Sequence, residues 1–341
     1  MTTSTMRERA PFCSVCAREA GLDPAGQATA YDQIVAAEIP LPWPITMYDQ
    51  PGTLPDEFLR LRQLMLEQYR QGRPIRMQAL AIAPDPRYSQ PGLRRALFYQ
   101  RPETPFAAFA RREYLLPEAE LGPLCWALLA EPAAQPRFER YRQPDADVRD
   151  LLVCTHGNVD AACARFGIPT YQLLRRIADE SGGRLRAWRT SHFGGHVFAP
   201  TLIDLPHGSY WAYIEAEQAR LLAQQHGDVA RLRAHYRGWS GLESPFLQAL
   251  ERELFVRHGW PWLAYLKVGR VLAHDQRGAG QDQPRWAEVQ LVYGAPDGSA
   301  RGLYRARVEV ARQIVTQHST GAPDTCPYPQ YAVSELVHTP A

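Results

Sequence analysis

The stretch VRDLLVCTHGNVDAACARFGIPTYQLLRRIADESGGRLRAWRTSHFGGH, residues 148–196, contains the pattern that decides the fold. Its first six residues form a largely apolar run that predicts a strand ending at Cys154. A loop or short helix is predicted around Cys163, followed by a helix that Thr170 caps and two glycines end. Residues 185–190 predict a second strand that runs directly into SHFGGH. Both strands therefore deliver cysteine or histidine side chains at their carboxyl ends.

The segment after this stretch completes a small α/β unit. Residues 197–205 and 209–214 predict a β-hairpin that turns at Pro206–His207–Gly208. A helix is predicted over residues 215–226. The resulting β-α-β-loop-β-β-α order is typical of a thioredoxin-like unit, which belongs to the α/β layer folds.

The overall composition is that of an ordinary globular protein and argues against several functional classes. The formal net charge of the 341 residues is +2, which gives no general case for binding nucleic acid or an anionic membrane surface. No run of about 18 apolar residues predicts a transmembrane helix, and the opening residues lack the apolar core of a signal peptide. Six cysteines are too few for a disulfide scaffold. We therefore expect a cytoplasmic protein whose clustered cysteines serve metal or redox chemistry.

Two short segments carry the candidate chemistry. CTHGNVDAAC places eight residues between Cys154 and Cys163, and SHFGGH places three between His192 and His196. Thiolates and imidazoles in equal number suit zinc or an iron–sulfur centre. The cysteines are too far apart for a zinc knuckle, whose paired ligands are separated by only two to four residues. A phenylalanine stands where a zinc protease has its glutamate, and two glycines follow it, so a metalloprotease is not expected.

The sequence resembles the sucrase/ferredoxin-like family, a branch of the thioredoxin-like ferredoxins. The resemblance lies in LLVCTHGNVDAACARFG, in SHFGGHVFAPTLIDLPHG and in the opening FCSVCAREAGLDPAGQATAYDQIVAAEIPLPWP, and it covers roughly residues 10–225. It implies one [2Fe–2S] cluster, with Cys154 and Cys163 on one iron and His192 and His196 on the other. It also implies an electron carrier or redox protein. No pair of carboxylates supports the sucrase activity in the family's name.

Under this interpretation the protein transfers single electrons at a relatively high, pH-dependent potential. Two-histidine centres lie at about −150 to +300 mV, against about −400 mV for all-cysteine plant-type clusters, because neutral imidazoles make the centre less negative. Each ligating imidazole keeps one ring N–H, and the loss of this proton should depend on the oxidation state of the cluster. We therefore expect a midpoint potential that falls as pH rises. We expect an electron carrier rather than a turnover enzyme, and any enzymatic activity would be that of an oxidoreductase.

The electron partners and one alternative function stay open. No nucleotide-binding fingerprint occurs in a strand–turn–helix setting, so we expect a separate electron-donating reductase and an electron acceptor that the sequence does not identify. The alternative is a structural zinc-binding protein, an interaction module without redox activity that uses the same two cysteines and two histidines. Visible absorbance that bleaches with dithionite would distinguish a cluster from zinc.

Three domains are predicted along the chain. Residues 1–145 are interpreted as a degenerate thioredoxin-like α/β domain and residues 146–227 as the thioredoxin-like [2Fe–2S] ferredoxin domain. Residues 228–341 are interpreted as a C-terminal accessory α+β domain without chemistry of its own. This last segment is expected to be helical over residues 228–257. Strands are then predicted near residues 263–273, 286–294 and 303–310.

The other cysteines and one further histidine receive lesser roles. Cys13 and Cys16 form Cys-x-x-Cys, but no buried strand precedes them as in a thioredoxin motif, so a structural role is expected. Cys125 is expected to be a buried apolar residue, and Cys326 a free thiol in an exposed tail. His156, close to the first predicted ligand, is expected to support the site rather than to bind the metal.

Overall fold

The computed structural model describes residues 11–275 and 284–340, which form two β-sheets with helices packed on them. A short helix, α1, spans Cys13–Glu19. The first α/β unit comprises β1 (Gln33–Glu38), α2 (Asp56–Arg70), β2 (Met77–Ile82), β3 (Arg94–Gln100), β4 (Ala110–Leu116) and α3 (Glu118–Leu129). β1 is parallel to β2 and antiparallel to β3, and the strand order is β4-β3-β1-β2.

The second unit repeats this arrangement with different residues. It comprises β5 (Arg149–Cys154), α4 (Ala161–Asp179), β6 (Leu185–Thr190), β7 (Leu202–Leu205), β8 (Ser209–Trp211) and α5 (Ala216–Gln224). β5 is parallel to β6 and antiparallel to β7, and the strand order is β6-β5-β7-β8. The predicted α/β, thioredoxin-like order is therefore confirmed. The sequence revealed no repeat because the two units share a pattern of elements and not of residues.

Helix α4 begins earlier than predicted. Asp160 caps it, since its carboxylate accepts a hydrogen bond from the backbone N–H of Ala162. Cys163, predicted in a loop or short helix, consequently lies in the first turn. Thr170, the predicted cap, lies inside the helix and donates its hydroxyl to the backbone oxygen of Phe166. The prediction of the cap at Thr170 was therefore wrong.

The same helix packs closely on the strands beside it. It continues through Pro169, which removes one backbone donor, and one of its faces contacts β5 and β6. Gly167 permits this approach, because an added Cβ would lie 2.0 Å from the carbonyl oxygen of Cys154. The glycine thus fixes how near the helix comes to the end of β5.

The two units join edge to edge into one sheet. β2 and β6 meet antiparallel at Ile82 and Thr190, and β9 (Tyr236–Trp239) pairs with β8 at the far edge. The sheet has nine strands in the order β4-β3-β1-β2-β6-β5-β7-β8-β9. The helix predicted over residues 228–257 is wrong in this part, because the buried aromatic residues of β9 pair with the sheet instead.

Buried charges connect the two units. The carboxylate of Asp150 on β5 accepts hydrogen bonds from Nε of Arg186 at 2.8 Å and from the hydroxyl of Tyr99 on β3 at 2.6 Å. Arg186 on β6 also donates to Glu113 on β4 at 3.1 Å. Each of these charges is buried and faces an opposite charge, which is the condition under which buried ions are tolerated.

The C-terminal part forms the second sheet. Helix α6 (Pro245–His258) precedes four antiparallel strands, β10 (Leu266–His274), β11 (Trp286–Gly294), β12 (Arg301–Gln317) and β13 (Thr325–Pro340). The three predicted strands are thereby confirmed, and β13 is an addition. Cys326 is half-buried in β13, so the prediction of an exposed tail was wrong. The prolines of this segment suggested a tail, yet β13 is an edge strand, where proline is tolerated.

The three predicted domains remain a prediction. Strands from residues 1–145, 146–227 and 228–341 all contribute to the nine-stranded sheet. Within the described part of the chain, no helix combines the length and apolar character that crossing a bilayer requires.

Candidate metal centre

The candidate site lies at the carboxyl ends of the parallel strands β5 and β6. Cys154 is the last residue of β5, and His192 follows the end of β6 by two positions. Cys163 comes from the first turn of α4, and His196 begins a short 3-10 turn at His196–Phe198. Since the ends of parallel strands meet at one edge of a sheet, residues distant in sequence are brought together there.

Three of the four predicted ligands form a compact group. Nδ1 of His192 lies 3.7 Å from Sγ of Cys154 and 3.8 Å from Sγ of Cys163. The three donor atoms all lie within 4.8 Å of one another. The ring of His196 lies beside them, with its centroid 5.5 Å from that of His192. All four side chains thus come together, with His196 at the border of the group.

His196 also belongs to a second group that the sequence did not reveal. Its Nδ1 lies 3.5 Å from Sγ of Cys13 and 3.5 Å from a carboxylate oxygen of Asp160. The thiol of Cys13 donates to Asp160 at 3.6 Å. The Cys-x-x-Cys motif was the one sequence feature that could have placed Cys13 near a metal or redox site. Asp160 had only the sequence features of a helix cap. The ring of His196 therefore has one nitrogen facing this second group and its other nitrogen, Nε2, remains available to a metal.

A hairpin of the second sheet closes the site. Between β12 and β13, Thr320 donates its backbone N–H and its hydroxyl to Asp160, at 2.8 and 2.7 Å. The ring of His318 lies 5.3 Å from that of His196. Residues 318–320 are more than 120 positions from any predicted ligand. No local sequence pattern predicts that they lie at the site. The C-terminal segment was expected to have no chemistry of its own, yet its β12–β13 hairpin contacts the site.

The protonation states suit metal binding. A hydrogen bond from Cys163 lowers the pKa of Cys154 well below its usual value, whereas that same hydrogen bond, together with burial, raises the pKa of Cys163. Burial lowers the pKa of His196 to about 4, so this imidazole is neutral at pH 7 and has a lone pair to offer. Burial raises the pKa of Cys13 to about 11, which keeps this thiol protonated.

The histidine loop encloses a buried cation. Gly195 has a φ of +81°, and a Cβ there would lie 2.6 Å from Nη2 of Arg237. Arg237 is buried and donates to the hydroxyl of Thr201 at 2.9 Å and to the backbone oxygen of Gln27 at 2.8 Å. Its Nε has no partner, and no carboxylate pairs with it among the residues described. A positive charge is therefore held behind the loop that carries both histidines.

His156 supports the loop instead of pointing at the cysteines. Its Nε2 lies 3.0 Å from the backbone oxygen of Trp43, and its Nδ1 accepts from the backbone N–H of His192 at 3.4 Å. Both ring nitrogens are thus engaged.

Cys125 is fully buried in the core of the first unit, as predicted. The sequence of that unit contains no histidine that could join this cysteine in a metal site.

One side of the site is open to a cavity. A pocket of about 450 Å³ is lined by His192 and Phe193, and on its far side by Ile45, Phe58 and Met65. Ile45 is 60% exposed, and the exposed ion pair of Arg62 and Asp49 also lines the pocket, so it opens to the surface between apolar and charged side chains. His192 is therefore the one predicted ligand among the residues that line this pocket.

Asp160 is expected to stabilise the site and the fold together. Burial would raise its pKa, but hydrogen bonds from Thr320 and Ala162 outweigh this effect and hold the pKa below its ordinary value. We expect Asp160→Ala to lower the free energy of unfolding at pH 7 by about 2–4 kcal/mol, because a cap and several buried hydrogen bonds are lost together. Urea denaturation measures this change.

Asp228→Ala is the matched control, because Asp228 is an exposed residue whose carboxylate accepts from the N–H of Ala230. Losing that cap should cost no more than about 1 kcal/mol. Equal losses in the two variants would show that Asp160 acts only as a cap.

Comparisons with known proteins point to one family. A model of the sucrase/ferredoxin-like family matches residues 24–238. No curated protein gives a significant match. A thioredoxin-like [2Fe–2S] ferredoxin from Aquifex aeolicus aligns with 16% identity over 26% of this chain and 90% of that one, at a TM-score of 0.22, which is too low to support a structural argument.

Proposed function

The chain belongs to the sucrase/ferredoxin-like family, and from this premise we propose that it binds one [2Fe–2S] cluster through Cys154, Cys163, His192 and His196. The observation that carries the proposal is the convergence of two thiols and two imidazoles from separate segments at one end of the sheet. This donor set is the one that two-histidine clusters use.

The protein's own residues fit such a group. Such a cluster, when bound, takes up and releases one electron at a time. Cys154 and Cys163 would supply the thiolates, and the neutral ring of His196 an uncharged ligand. The guanidinium of Arg237, which lacks a carboxylate partner among the described residues, offsets the negative charge of the Cys154 thiolate. His192 lies at the pocket, where a partner molecule comes nearest to the cluster.

With four protein ligands no coordination position is left for substrate. We therefore assign electron transfer to the protein and not the turnover of a substrate. A separate reductase would supply the electrons, and an acceptor would receive them. We also assign the protein to the cytoplasm, because its six free cysteines suit a reducing compartment.

Anaerobic purification with metal and sulfide analysis tests the proposal. We expect two irons and two acid-labile sulfides per chain, with visible absorbance that bleaches on addition of dithionite. A colourless protein that contains no iron after anaerobic purification and reconstitution would contradict it.

One observation favours a second candidate, a structural zinc site. Zn–S and Zn–N bonds of about 2.3 and 2.0–2.1 Å at tetrahedral angles place ligand atoms about 3.5 Å apart. The separations of 3.7 and 3.8 Å between His192 Nδ1 and the two sulfurs are close to this value. Such a protein would be an interaction module without redox activity. One zinc per chain and no visible absorbance would identify it.

The midpoint potential is expected to fall as pH rises. Each ligating imidazole keeps one ring N–H, and the reduced, more negative cluster holds this proton more firmly than the oxidised one. We expect a slope of up to about 59 mV per pH unit for one proton taken up with each electron. Optical redox titration at several pH values measures it. A pH-independent midpoint near about −400 mV would refute ligation by two histidines.

A further inference from the structure

A second cavity is bounded by α1 and is lined by none of the proposed cluster ligands. It has a volume of about 830 Å³ and runs between α1, α4 and the segment that leads into α5. Its apolar lining comes from Phe166, Pro169 and Leu173 on α4 and from Ile214. A cavity of this size holds a small organic molecule, since ligand pockets span about 300–1,000 Å³.

The cavity is positively charged. It is lined by four arginines and only two glutamates. Arg18 pairs with Glu215, whereas Arg165 and Arg176 on α4 and Arg220 on α5 have no carboxylate partner within the described ranges. Guanidinium groups recognise carboxylates and phosphates through paired hydrogen bonds. Arg220 donates to the backbone oxygen of Ala216, so Arg165 and Arg176 are the two guanidinium groups that have no hydrogen-bond partner within the described ranges.

Two buried hydroxyls in the lining lack partners. Ser14 is 3% exposed and Tyr213 is 4% exposed, and neither hydroxyl makes a hydrogen bond. Burying a hydroxyl without a partner costs about 1–3 kcal/mol, so such groups are rare in folded proteins. Burial also raises the pKa of Tyr213, which keeps its hydroxyl a donor. Both residues belong to the cavity lining, but the hydroxyl oxygens themselves are enclosed by protein atoms.

The backbone at Tyr213 is strained. Its φ is +53°, in the left-handed region, although it is not a glycine. A residue held in this conformation costs of order 1–3 kcal/mol, and such residues cluster at ligand sites. Tyr213 belongs to the cavity wall, and its ring centroid lies 5.9 Å from that of Phe198.

We propose that this cavity binds a small organic anion, with an apolar body against α4 and a phosphate or carboxylate between the arginines. Arg165 and Arg176 recognise the anionic group, and Ser14 and Tyr213 form part of the cavity wall. None of these residues is a ligand of the proposed cluster, so the inference is independent of the proposed function.

Calorimetric titration of the full-length protein with three probes tests the proposal. The probes are 1-naphthyl phosphate, 1-naphthoate and the neutral 1-naphthol, which share one apolar body. At least one anion should bind with a dissociation constant below about 1 mM, and 1-naphthol at least about tenfold more weakly. The stronger of the two anions identifies the class of head group. The proposal is overturned if neither anion gives saturable binding, or if the protein binds 1-naphthol as tightly as it binds the anions.

Variants locate the binding in this cavity. Arg165→Ala and Arg176→Ala should each weaken binding of the anion about tenfold, because each removes one charge-assisted donor. Arg70→Ala, which removes an exposed arginine from α2, is the matched control and should change nothing. Melting temperatures establish that each variant is folded. Arginine variants that are folded and bind as the unchanged protein does would refute the assignment.

Discussion

Cys163→Ala is expected to abolish the metal centre while the chain remains folded. Cys163 lies in the first turn of α4, and its sulfur is one of three donor atoms within 4.8 Å of one another. Removing even an outer partner of a metal ligand costs about 10–100-fold in metal affinity, so removing a ligand should cost at least about 100-fold. The side chain is small, and replacing it by alanine leaves only a minor cavity.

Iron, sulfide and visible absorbance, measured on anaerobically purified protein, check this expectation. Cys125→Ala is the matched control, because Cys125 is an equally buried thiol in the core of the first unit. The control should keep the full metal content and the same spectrum. Retention of the full metal content and an unchanged spectrum in Cys163→Ala would remove this residue from the ligand set.

The second large effect is expected from Asp150→Ala, which should lower the free energy of unfolding by about 3–5 kcal/mol. Asp150 is fully buried and accepts hydrogen bonds from Arg186, Tyr99 and Trp188. Its removal leaves Arg111 and Arg186 with Glu113 as their one remaining carboxylate partner among the described residues, and this excess positive charge causes the loss. The hydrogen bond from Tyr99 also connects the two α/β units, so both units should be affected.

The loss should depend on pH in a defined direction. Burial would raise the pKa of Asp150, but the ion pair with Arg186 outweighs burial and holds the pKa below its ordinary value. A carboxylate with a depressed pKa stabilises the fold above its unfolded-state pKa of about 3.9 and loses this effect as pH falls further. The difference between the variant and the unchanged protein should therefore be full at pH 7 and shrink below about pH 4.

Urea denaturation at pH 7 measures the effect. Asp145→Ala is the control, because the Asp145 side chain is 76% exposed and pairs with Arg142 at the surface. Such a surface pair contributes about 0–1 kcal/mol. Equal losses in the two variants would contradict the account of the buried charge network.

The sequence predicted the parts of the site that follow from local patterns. An apolar run that ends in Cys154 and another that ends before His192 predict strand ends, and the topology of parallel strands then brings these residues together. The apolar periodicity after Thr170 predicts a helix that starts there. Asp160 followed by small residues is a weaker indication of a helix start, although this is where α4 begins. Helix boundaries are therefore less predictable than the helix itself.

Other parts of the site depend on long-range packing. Cys13 contacts His196 across 183 positions, and Thr320 contacts Asp160 across 160 positions. Residue spacing and hydrophobic periodicity predict neither contact. Arg237 is likewise an ordinary arginine in sequence, and only its burial behind the histidine loop gives it a role.

Mössbauer spectroscopy of protein grown on ⁵⁷Fe tests the central claim most directly, because it distinguishes an iron bound by sulfur from one bound by nitrogen. We expect two doublets of equal area in the oxidised protein, one for the iron on Cys154 and Cys163 and one for the iron on His192 and His196. A single iron environment, or a protein that holds one zinc and no iron, would contradict it.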